Sequence, residues 1–145
     1  LEQIAGVTAC NGLRDSESES SATDELGGCD VSAVTFGAGD GSSLTPYLIC
    51  SNTQLENVRS DLTKNYKLMK DLDLNGVTFN PIGTDNTTGF TGTFDGNNHK
   101  ISNWTYSNNT DAFAVGFFRR VSAGGVVKNL TLKSATVEGN STVAE

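Results

Sequence analysis

Residues 101–106 read ISNWTY, and this six-residue pattern occurs three times in the chain. An apolar residue is followed at the third position by Asn or Asp, and then by two apolar residues that flank a polar one. The other copies are residues 69–74 (MKDLDL) and 127–132 (VKNLTL), with spacings of 32 and 26 residues. A period of about 20–50 residues in a sequence rich in Gly and Asn indicates a solenoid. The spacing suits one coil of a parallel β-helix, with three short strands and three bends.

The Asn or Asp of each copy is predicted to occupy a bend. These residues tolerate left-handed backbone and hydrogen-bond their own main chain, whereas the alternating apolar residues that follow point into the core. On this alignment Asn103 and Asn129 stack in successive coils as a short amide ladder, and Asp71 is its first rung.

Trp104 and Tyr106 are the aromatic members of the repeated pattern. They could stack against a sugar, but they align with Leu130 and Leu132 of the last copy, and core packing is the preferred interpretation.

Composition favours strands and turns over helices. Gly, Asn, Thr and Ser make up 61 of the 145 residues, which is typical of an all-β protein with many turns. An antiparallel β-sandwich would also produce short strands at regular intervals. The sequence therefore predicts an all-β fold, with a parallel β-helix preferred and an antiparallel β-sandwich as the alternative.

One helical segment precedes the repeats. Leu55 and Val58 recur at helical spacing, and Ser51 or Thr53 can cap the N-terminus of a helix there. The pattern predicts a helix of two to three turns that ends near residues 64–65.

Net charge divides the chain into two regions. Residues 1–45 carry a net charge of −7, and residues 46–145 carry none. The acidic stretch 14–30 lacks aromatic residues and periodicity, so it cannot bury enough apolar area to offset its ordering entropy. We expect residues 1–45 to form a partly disordered extension, in which 31–36 could be a short strand, and 46–145 to hold the capping helix and the first coils.

The same charge distribution argues against two classes of binding partner, nucleic acid and anionic lipid. Nucleic acid requires clustered Lys and Arg, and anionic lipid requires a polybasic patch; the sequence has neither. No stretch approaches the ~18 apolar residues of a membrane span, so no transmembrane segment is predicted.

Three cysteines lie in the first third of the chain. Cys10 ends a small-residue sequence, VTAC, that resembles a bacterial lipoprotein cleavage site, although Glu2 and Gln3 interrupt the apolar region that should precede it. An odd count leaves one thiol over, and Cys29–Cys50 is the favoured disulfide.

A series of short motifs runs in a fixed order along the chain: PYLI at 46–49, DLDL at 71–74, NPIG at 80–83, FTGTFDGNNHKISN at 90–103, VGFF at 115–118 and GVVKNLTL at 125–132. From about residue 37 to residue 139 this order resembles the bacterial surface and secreted β-helix proteins that carry the Glug motif. Two positions depart from that motif: Arg119 stands where a glycine is usual, and Lys70 where a small residue is usual.

The resemblance implies a right-handed parallel β-helix that begins with a helical cap. Members of the group are often long extracellular proteins with roles in adhesion. The group supplies no set of catalytic residues to place on this sequence.

Residues that could carry chemistry have simpler explanations. His99, the only histidine, lies in a Gly-Asn-Asn turn and is expected to be a solvated turn residue. Residues 71–76 imitate the start of an EF-hand loop, but the twelfth position is Ile82 where calcium requires a bidentate Glu. We therefore expect no catalytic residues, no metal and no cofactor.

The best surface candidates for contact with a ligand are Phe117, Phe118, Arg119 and Arg120. Adjacent residues on a strand point to opposite faces, so one of the two rings is expected to face outward. Such a ring beside two arginines could bind by stacking or by cation–π interaction.

Three functions are weighed. The first is a non-catalytic adhesin or cell-surface binding module, located extracellularly or on the bacterial outer surface, with an unknown glycan or cell-surface ligand. The second is a structural spacer, and the third is a polysaccharide-acting enzyme, which would need clustered carboxylates. A flat face with exposed aromatic rings and arginines favours the first, and an all-polar exterior favours the second.

The end of the repeats bears on assembly. Solenoids generally need three or more repeats and a cap at both ends, and no closing signature is visible before Glu145. We expect either a fragment of a longer protein or an oligomer that covers the open end.

Overall fold

The computed structural model describes residues 27–83, 87–108 and 115–139. The described chain contains one short α-helix, α1 (Asn52–Asn57), and short strands in the order β1 (Tyr47–Ile49), β2 (Tyr66–Leu68), β3 (Leu72–Asp73), β4 (Thr93–Asp95), β5 (Lys100–Ser102), β6 (Thr105–Asn108), β7 (Val126–Lys128), β8 (Thr131–Lys133) and β9 (Thr136–Gly139). The fold is mostly strand, as the composition predicts.

The strands form three sheets, and apart from β1 and β2, strands that are consecutive in the sequence lie in different sheets. The first sheet has the order β1-β2-β4-β7, the second β3-β5-β8 and the third β6-β9. Every pair of these strands is parallel. An antiparallel β-sandwich, the alternative considered from sequence, is therefore wrong: in the second sheet, for example, the chain returns about 30 residues later and runs in the same direction.

Register aligns apolar side chains of successive strands into rows. Leu72 pairs with Ile101, which pairs with Leu132, and Tyr66 pairs with Phe94 in the first sheet. Since alternate residues of a strand point to opposite faces, each row lies on the inner face of its sheet. Tyr66, Phe94 and Ile101 are at most 1% exposed.

Aromatic rings fill the space that the three sheets enclose. Phe79 stacks on Phe117 with ring centroids 5.0 Å apart, and Trp104 meets Phe117 edge-on at 5.2 Å. Trp104 is 1% exposed, and its indole N–H donates to the Phe79 carbonyl at 2.8 Å. Tyr106 is half-buried and packs against the same core. The interpretation of Trp104 and Tyr106 as core residues is confirmed.

Helix α1 closes one end of this core. Ser51 is the N-cap and accepts from the Gln54 backbone N–H at 3.3 Å. Leu55 and Val58 are fully buried, as their spacing predicts. The helical segment is shorter than expected, because it tightens into a 3-10 turn at Val58–Ser60 and ends there.

Residues 31–36 do not form the short strand considered from sequence. They lie in turns and bends, since Asp30 accepts from the backbone N–H of Ser32 and folds the chain back. The buried amide of Gln54 then donates to the carbonyls of Asp30 and Ala33, at 2.6 and 2.9 Å. Hydrogen bonds from side-chain amides thus hold this segment in place of the backbone hydrogen bonds of a neighbouring strand.

Cys29 and Cys50 form a disulfide, the pairing favoured from sequence, with Cα atoms 6.3 Å apart. The bridge fastens the loop before β1 to the segment that leads into α1. The same loop pairs with β1 through an antiparallel bridge between Ala38 and Leu48. Residues 29–45 are thus tied to the sheets by covalent and hydrogen bonds, whereas Cys10 lies outside the described residues.

Removal of the disulfide is expected to lower the free energy of unfolding by about 3 kcal/mol. The bridge closes a loop with a sequence separation of 21 residues, and the entropy of closing such a loop in the unfolded chain has about this size. Urea denaturation of the double variant Cys29→Ala/Cys50→Ala, with Cys10→Ser as the control, measures the difference. Equal midpoints and slopes for the two proteins would show that the bridge contributes nothing.

The predicted ladder of Asp71, Asn103 and Asn129 is wrong in its register. Asn103 follows β5 of the second sheet, Asn129 follows β7 of the first sheet, and Asp71 precedes β3. Asp71 and Asn129 therefore both lie between a strand of the first sheet and a strand of the second, whereas Asn103 lies between the second and third sheets, so the three residues do not form one ladder. Asn103 and Asn129 are nevertheless bend residues with left-handed backbone, at φ of 58° and 53°.

Candidate binding surface

Phe117 and Phe118 do not provide the exposed ring expected from sequence. Phe117 is 5% exposed, and Phe118 packs against the core at 5.3 Å from the Phe90 ring and 5.4 Å from the Phe94 ring. The segment pairs only through isolated bridges, such as Ile82 with Phe118, so regular strand alternation does not apply. Phe117 thus belongs to the core, and the partly buried Phe118 packs against it.

Arg119 and Arg120 separate in space. Arg120 is exposed, whereas Arg119 is half-buried and lines a cleft of about 270 Å³ with Arg59, Asn80, Pro81, Gly83 and Tyr106. An Arg119 N–H donates to the Tyr106 hydroxyl at 3.5 Å. Of the two arginines predicted to bind a ligand, Arg119 lines this cleft and Arg120 does not.

Arg59 is the residue of this cleft that sequence reasoning missed. It forms an ion pair with Glu56, one helical turn earlier, and its guanidinium lies 5.8 Å from the centroid of the Phe79 ring. The i, i+3 spacing of Glu56 and Arg59 was a visible signal for the ion pair. No local pattern connects Arg59 with Arg119, which is 60 residues later in the chain.

The cleft has the chemistry to bind a polar ligand weakly. Its volume is below the ~300–1,000 Å³ that is usual for small-molecule sites. Guanidinium N–H groups and a tyrosine hydroxyl offer hydrogen bonds to hydroxyl or carboxylate oxygens. The cleft is thus an open polar surface lined by two arginines and a tyrosine.

The outer faces of the sheets carry cross-strand pairs of polar side chains. In the second sheet Lys100 donates to Asp71 at 2.9 Å, and the Asp71 carboxylate also contacts His99 at 3.2 Å. In the first sheet Lys128 lies 3.5 Å from Asp95. These pairs join successive strands of a sheet on the side that faces solvent.

The bend asparagines connect successive coils in the same way. Asn103 donates to the Asp73 carboxylate at 2.8 Å, and Asn129 donates to the Asp95 carboxylate at 3.0 Å. The Asn103 bond lowers the pKa of Asp73. Desolvation raises the pKa of Asp95, but the bonds from Asn129 and the Asn97 backbone outweigh it, so that this pKa is also lowered. Each amide thus pairs with a carboxylate of the preceding coil.

The contacts of Lys100 and His99 lower the pKa of Asp71 to about 2, and the hydrogen bond from the Lys100 side chain is the largest cause. A carboxyl with a depressed folded-state pKa contributes stability above its unfolded pKa and loses it as pH falls through the folded value. This contribution is therefore present at neutral pH and lost between about pH 4 and pH 2.

Lys100→Met is expected to raise the pKa of Asp71 toward its ordinary value of 3.8. The rise is partial, because the Lys100 backbone N–H still donates to the carboxylate at 3.0 Å. An NMR titration of the side-chain carboxyl measures it, with Lys67→Met in the first sheet as the control. An unchanged Asp71 pKa in Lys100→Met would show that the cross-strand pair does not form in solution.

Among residues 27–83, 87–108 and 115–139, no group of three or more His, Cys, Asp and Glu side chains could hold a metal ion. In the same part of the chain, no helix has the length and apolar character that are needed to cross a membrane.

Two curated proteins are similar to this chain. A protein described as a Gly-rich membrane protein of Evansella cellulosilytica is 37% identical over 114 residues, which cover 72% of this chain and 13% of that protein. Halomucin of Haloquadratum walsbyi is 34% identical over 125 residues, which cover 76% of this chain and 1% of that protein. The chain thus spans a small part of both proteins. No protein-family model matches it, and no solved structure matches it significantly.

Proposed function

We propose that the three parallel sheets are the faces of a right-handed parallel β-helix of the Glug-motif type, capped by α1. The in-register rows, the return of the chain to the second sheet about every 30 residues, and the left-handed asparagines at the corners support this architecture. Crossovers between parallel strands of one sheet are right-handed in almost all proteins, which supports the assigned hand.

We propose that this β-helix is a non-catalytic module of an extracellular or cell-surface protein, in which it acts as a structural spacer. The observation that carries this proposal concerns the aromatic rings: among the described residues, the exposed large hydrophobic side chains are valines and leucines, and none is aromatic. The outward positions of the sheets instead carry residues such as Lys67, Asp95, Ser102, Thr105 and Thr136. A location at the cell surface agrees with the names of the two similar proteins.

The spacer role predicts no saturable binding of the folded chain to glycans or cells. Labelled Cys10→Ser protein can be applied to a glycan array and to intact cells, with a urea-unfolded sample and an unrelated acidic protein as controls. Signals no higher than those of the acidic protein are expected. Saturable binding that depends on the folded state would contradict the spacer role.

An adhesin is the second candidate, because the cleft between Arg59, Tyr106 and Arg119 is concave and rich in hydrogen-bond donors. If the array shows saturable binding, Arg119→Ala should abolish it, whereas Arg120→Ala, outside the cleft, should leave it unchanged. Binding that both variants retain would place the ligand elsewhere.

The non-catalytic proposal rests on the state of the carboxylates. Asp71, Asp73 and Asp95 each accept hydrogen bonds from a neighbouring coil. Each has a lowered pKa, whereas a general acid needs a raised one. Incubation with a panel of polysaccharides is expected to release no new reducing ends, and release above a heat-denatured control would contradict this part of the proposal.

A further inference from the structure

The edge of β1 is covered by the segment that precedes it in the chain. Strand β1 stands first in its sheet and pairs with β2 on one side. On the other side lie residues 29–38, here called the cover. Gly37 N–H donates to the Leu48 carbonyl and Leu48 N–H donates to the Ala38 carbonyl, both at 2.8 Å. Without the cover these backbone groups would stand unpaired at the edge of the sheet, where another strand can pair with them.

The cover contributes little to the core. None of the side chains between Cys29 and Gly37 is fully buried, and Val34 is 73% exposed. The Phe36 ring stacks on Tyr47 with centroids 4.2 Å apart, but it is only partly buried. Since the hydrophobic contribution is roughly proportional to the apolar area that is buried, apolar contacts do little to keep the cover in place.

Side-chain amides of α1 hold the cover on its other side. Besides the two bonds from Gln54 described above, the Asn57 amide donates to the carbonyls of Val34 and Thr35, at 2.5 and 3.0 Å. These carbonyls can bind water instead when the cover moves away, so each such hydrogen bond stabilises the closed arrangement only modestly.

The disulfide joins the cover to the strand that it covers. Cys29 begins the cover, and Cys50 directly follows β1. The two cysteines are 0% and 2% exposed. The Gly37 backbone lies on both sulfurs, since a Cβ at this position would overlap the Cys29 Sγ and lie 2.8 Å from the Cys50 Sγ. A reductant therefore reaches the sulfurs only when the cover moves.

We propose that the cover is redox-dependent: the Cys29–Cys50 bridge keeps it on β1, and reduction of the bridge by a dithiol releases it and opens the β1 edge while the coils stay folded. One thiolate of the dithiol attacks a bridge sulfur and displaces the other cysteine as a thiolate, and the second thiol then displaces the first cysteine. The two protons of the dithiol pass to the cysteines, which become thiols. The dithiol is oxidised to its cyclic disulfide.

The redox state of the surroundings thus decides whether the β1 edge can pair with another chain. Disulfides persist outside cells and are rare in the cytosol, so the edge is covered at the location that we propose for this protein and open in a reducing compartment. The cover involves no ligand, and it stands independently of the spacer and adhesin roles.

Hydrogen exchange followed by NMR tests the proposal on the Cys10→Ser protein, with and without dithiothreitol. The substitution removes the third cysteine, so that no other thiol of the chain exchanges with the bridge. After reduction, the protection of the Gly37 and Leu48 amides is expected to fall at least about tenfold, because loss of the covalent tie favours local opening. The amides of Leu74 and Asn103, which donate to the next coil at 2.9 and 3.0 Å, are expected to keep their protection.

Three results would overturn the proposal. Unchanged protection of Gly37 and Leu48, in protein whose mass after alkylation shows both cysteines reduced, would show that the cover stays in place without the bridge. A simultaneous loss of protection at Leu74 would show that the bridge holds the coils as well. A bridge that dithiothreitol does not reduce while the fluorescence of the buried Trp104 stays native would show that the cover does not open.

Variants test the cover without a reductant and without a change at the cysteines. Cys29→Ala/Cys50→Ala in the same background should show the loss of Leu48 protection in the absence of dithiothreitol, and full protection there would contradict the proposal.

Gly37→Ala adds a methyl group that overlaps the Cys29 sulfur, and we expect its bridge to be reduced at least about tenfold faster, because the crowded cover opens more readily. Val34→Ala is the matched control, since Val34 is 73% exposed in the same segment, and its reduction rate is expected to be unchanged. Equal reduction rates in the two variants would show that the cover does not control access to the sulfurs.

Discussion

Gly92→Ala is expected to destabilise the fold more than any other glycine-to-alanine change outside the left-handed positions. A Cβ at Gly92 would lie 2.7 Å from the Lys64 carbonyl carbon, 3.0 Å from the Thr63 carbonyl carbon and closer still to the Lys64 oxygen. The Gly92 N–H also donates to Leu62 at 3.1 Å, so two backbone segments of successive coils touch here. Backbone cannot move aside as a flexible side chain can, and we expect a loss of at least about 3 kcal/mol.

Gly76→Ala is the matched control for this prediction. Gly76 has a φ of +72° but open space around its Cβ position, so alanine there costs only the strain of left-handed backbone, about 1–2 kcal/mol. Urea denaturation of both variants gives the two losses. A larger loss in Gly76→Ala than in Gly92→Ala would show that the coils do not approach each other as the structure has them.

Trp104→Ala is expected to cost about 4–5 kcal/mol, the upper range for removal of a buried aromatic side chain. The ring is 1% exposed and touches Tyr106 and Phe117. The substitution also removes the indole N–H that donates to the buried Phe79 carbonyl. Small domains have only about 5–15 kcal/mol in total, so this variant is expected to be close to unfolding at room temperature.

Trp104→Phe and Thr105→Ala separate the contributions to this loss. The phenyl ring keeps much of the buried area but not the hydrogen bond, so an intermediate loss is expected. Thr105 is exposed on the next position of the chain, and its truncation is expected to change stability by no more than about 0.5 kcal/mol. A loss below about 2 kcal/mol in Trp104→Ala would contradict the burial of this ring in the core.

Much of the core could be predicted from sequence, because alternation on a strand has a direct physical meaning. Leu72 and Leu74 alternate with polar residues and are buried, as are Ile101 and Trp104. The bend positions of Asn103 and Asn129 followed from the tolerance of asparagine for left-handed backbone. The composition predicted the all-β class, and the repeat period predicted that the strands are parallel.

The alignment of the repeats could not be predicted, because different corners of a coil have the same sequence pattern. Each favours an asparagine or aspartate, followed by alternating apolar residues. Asn103 and Asn129 each precede a strand whose apolar residues alternate, yet they stand between different pairs of strands. Loop lengths also differ between coils. Ile101 lies seven positions after Phe94, whereas their partners Leu132 and Val127 lie five positions apart. Only long-range strand pairing distinguishes one corner from another.

The surface was predicted less well than the core for a related reason. Strand alternation predicted that one of the rings of Phe117 and Phe118 faces outward, but the segment is held by an isolated bridge to Ile82 and both rings pack in or against the core. Arg59 and Arg119 line one cleft because the 3-10 turn after α1 and the later segment converge at one side of the core. Neither outcome follows from a local pattern, because each depends on contacts between distant parts of the chain.

Methyl–methyl nuclear Overhauser effects from Ile101 test the stacked parallel coils most directly. In the structure Ile101 lies between Leu72 and Leu132 in one row of the second sheet, and adjacent strands are about 4.8 Å apart. Selectively labelled protein should show cross-peaks from Ile101 to both leucines and none between Leu72 and Leu132. A direct Leu72–Leu132 cross-peak, or the absence of either Ile101 cross-peak in the folded protein, would contradict the stacked coils.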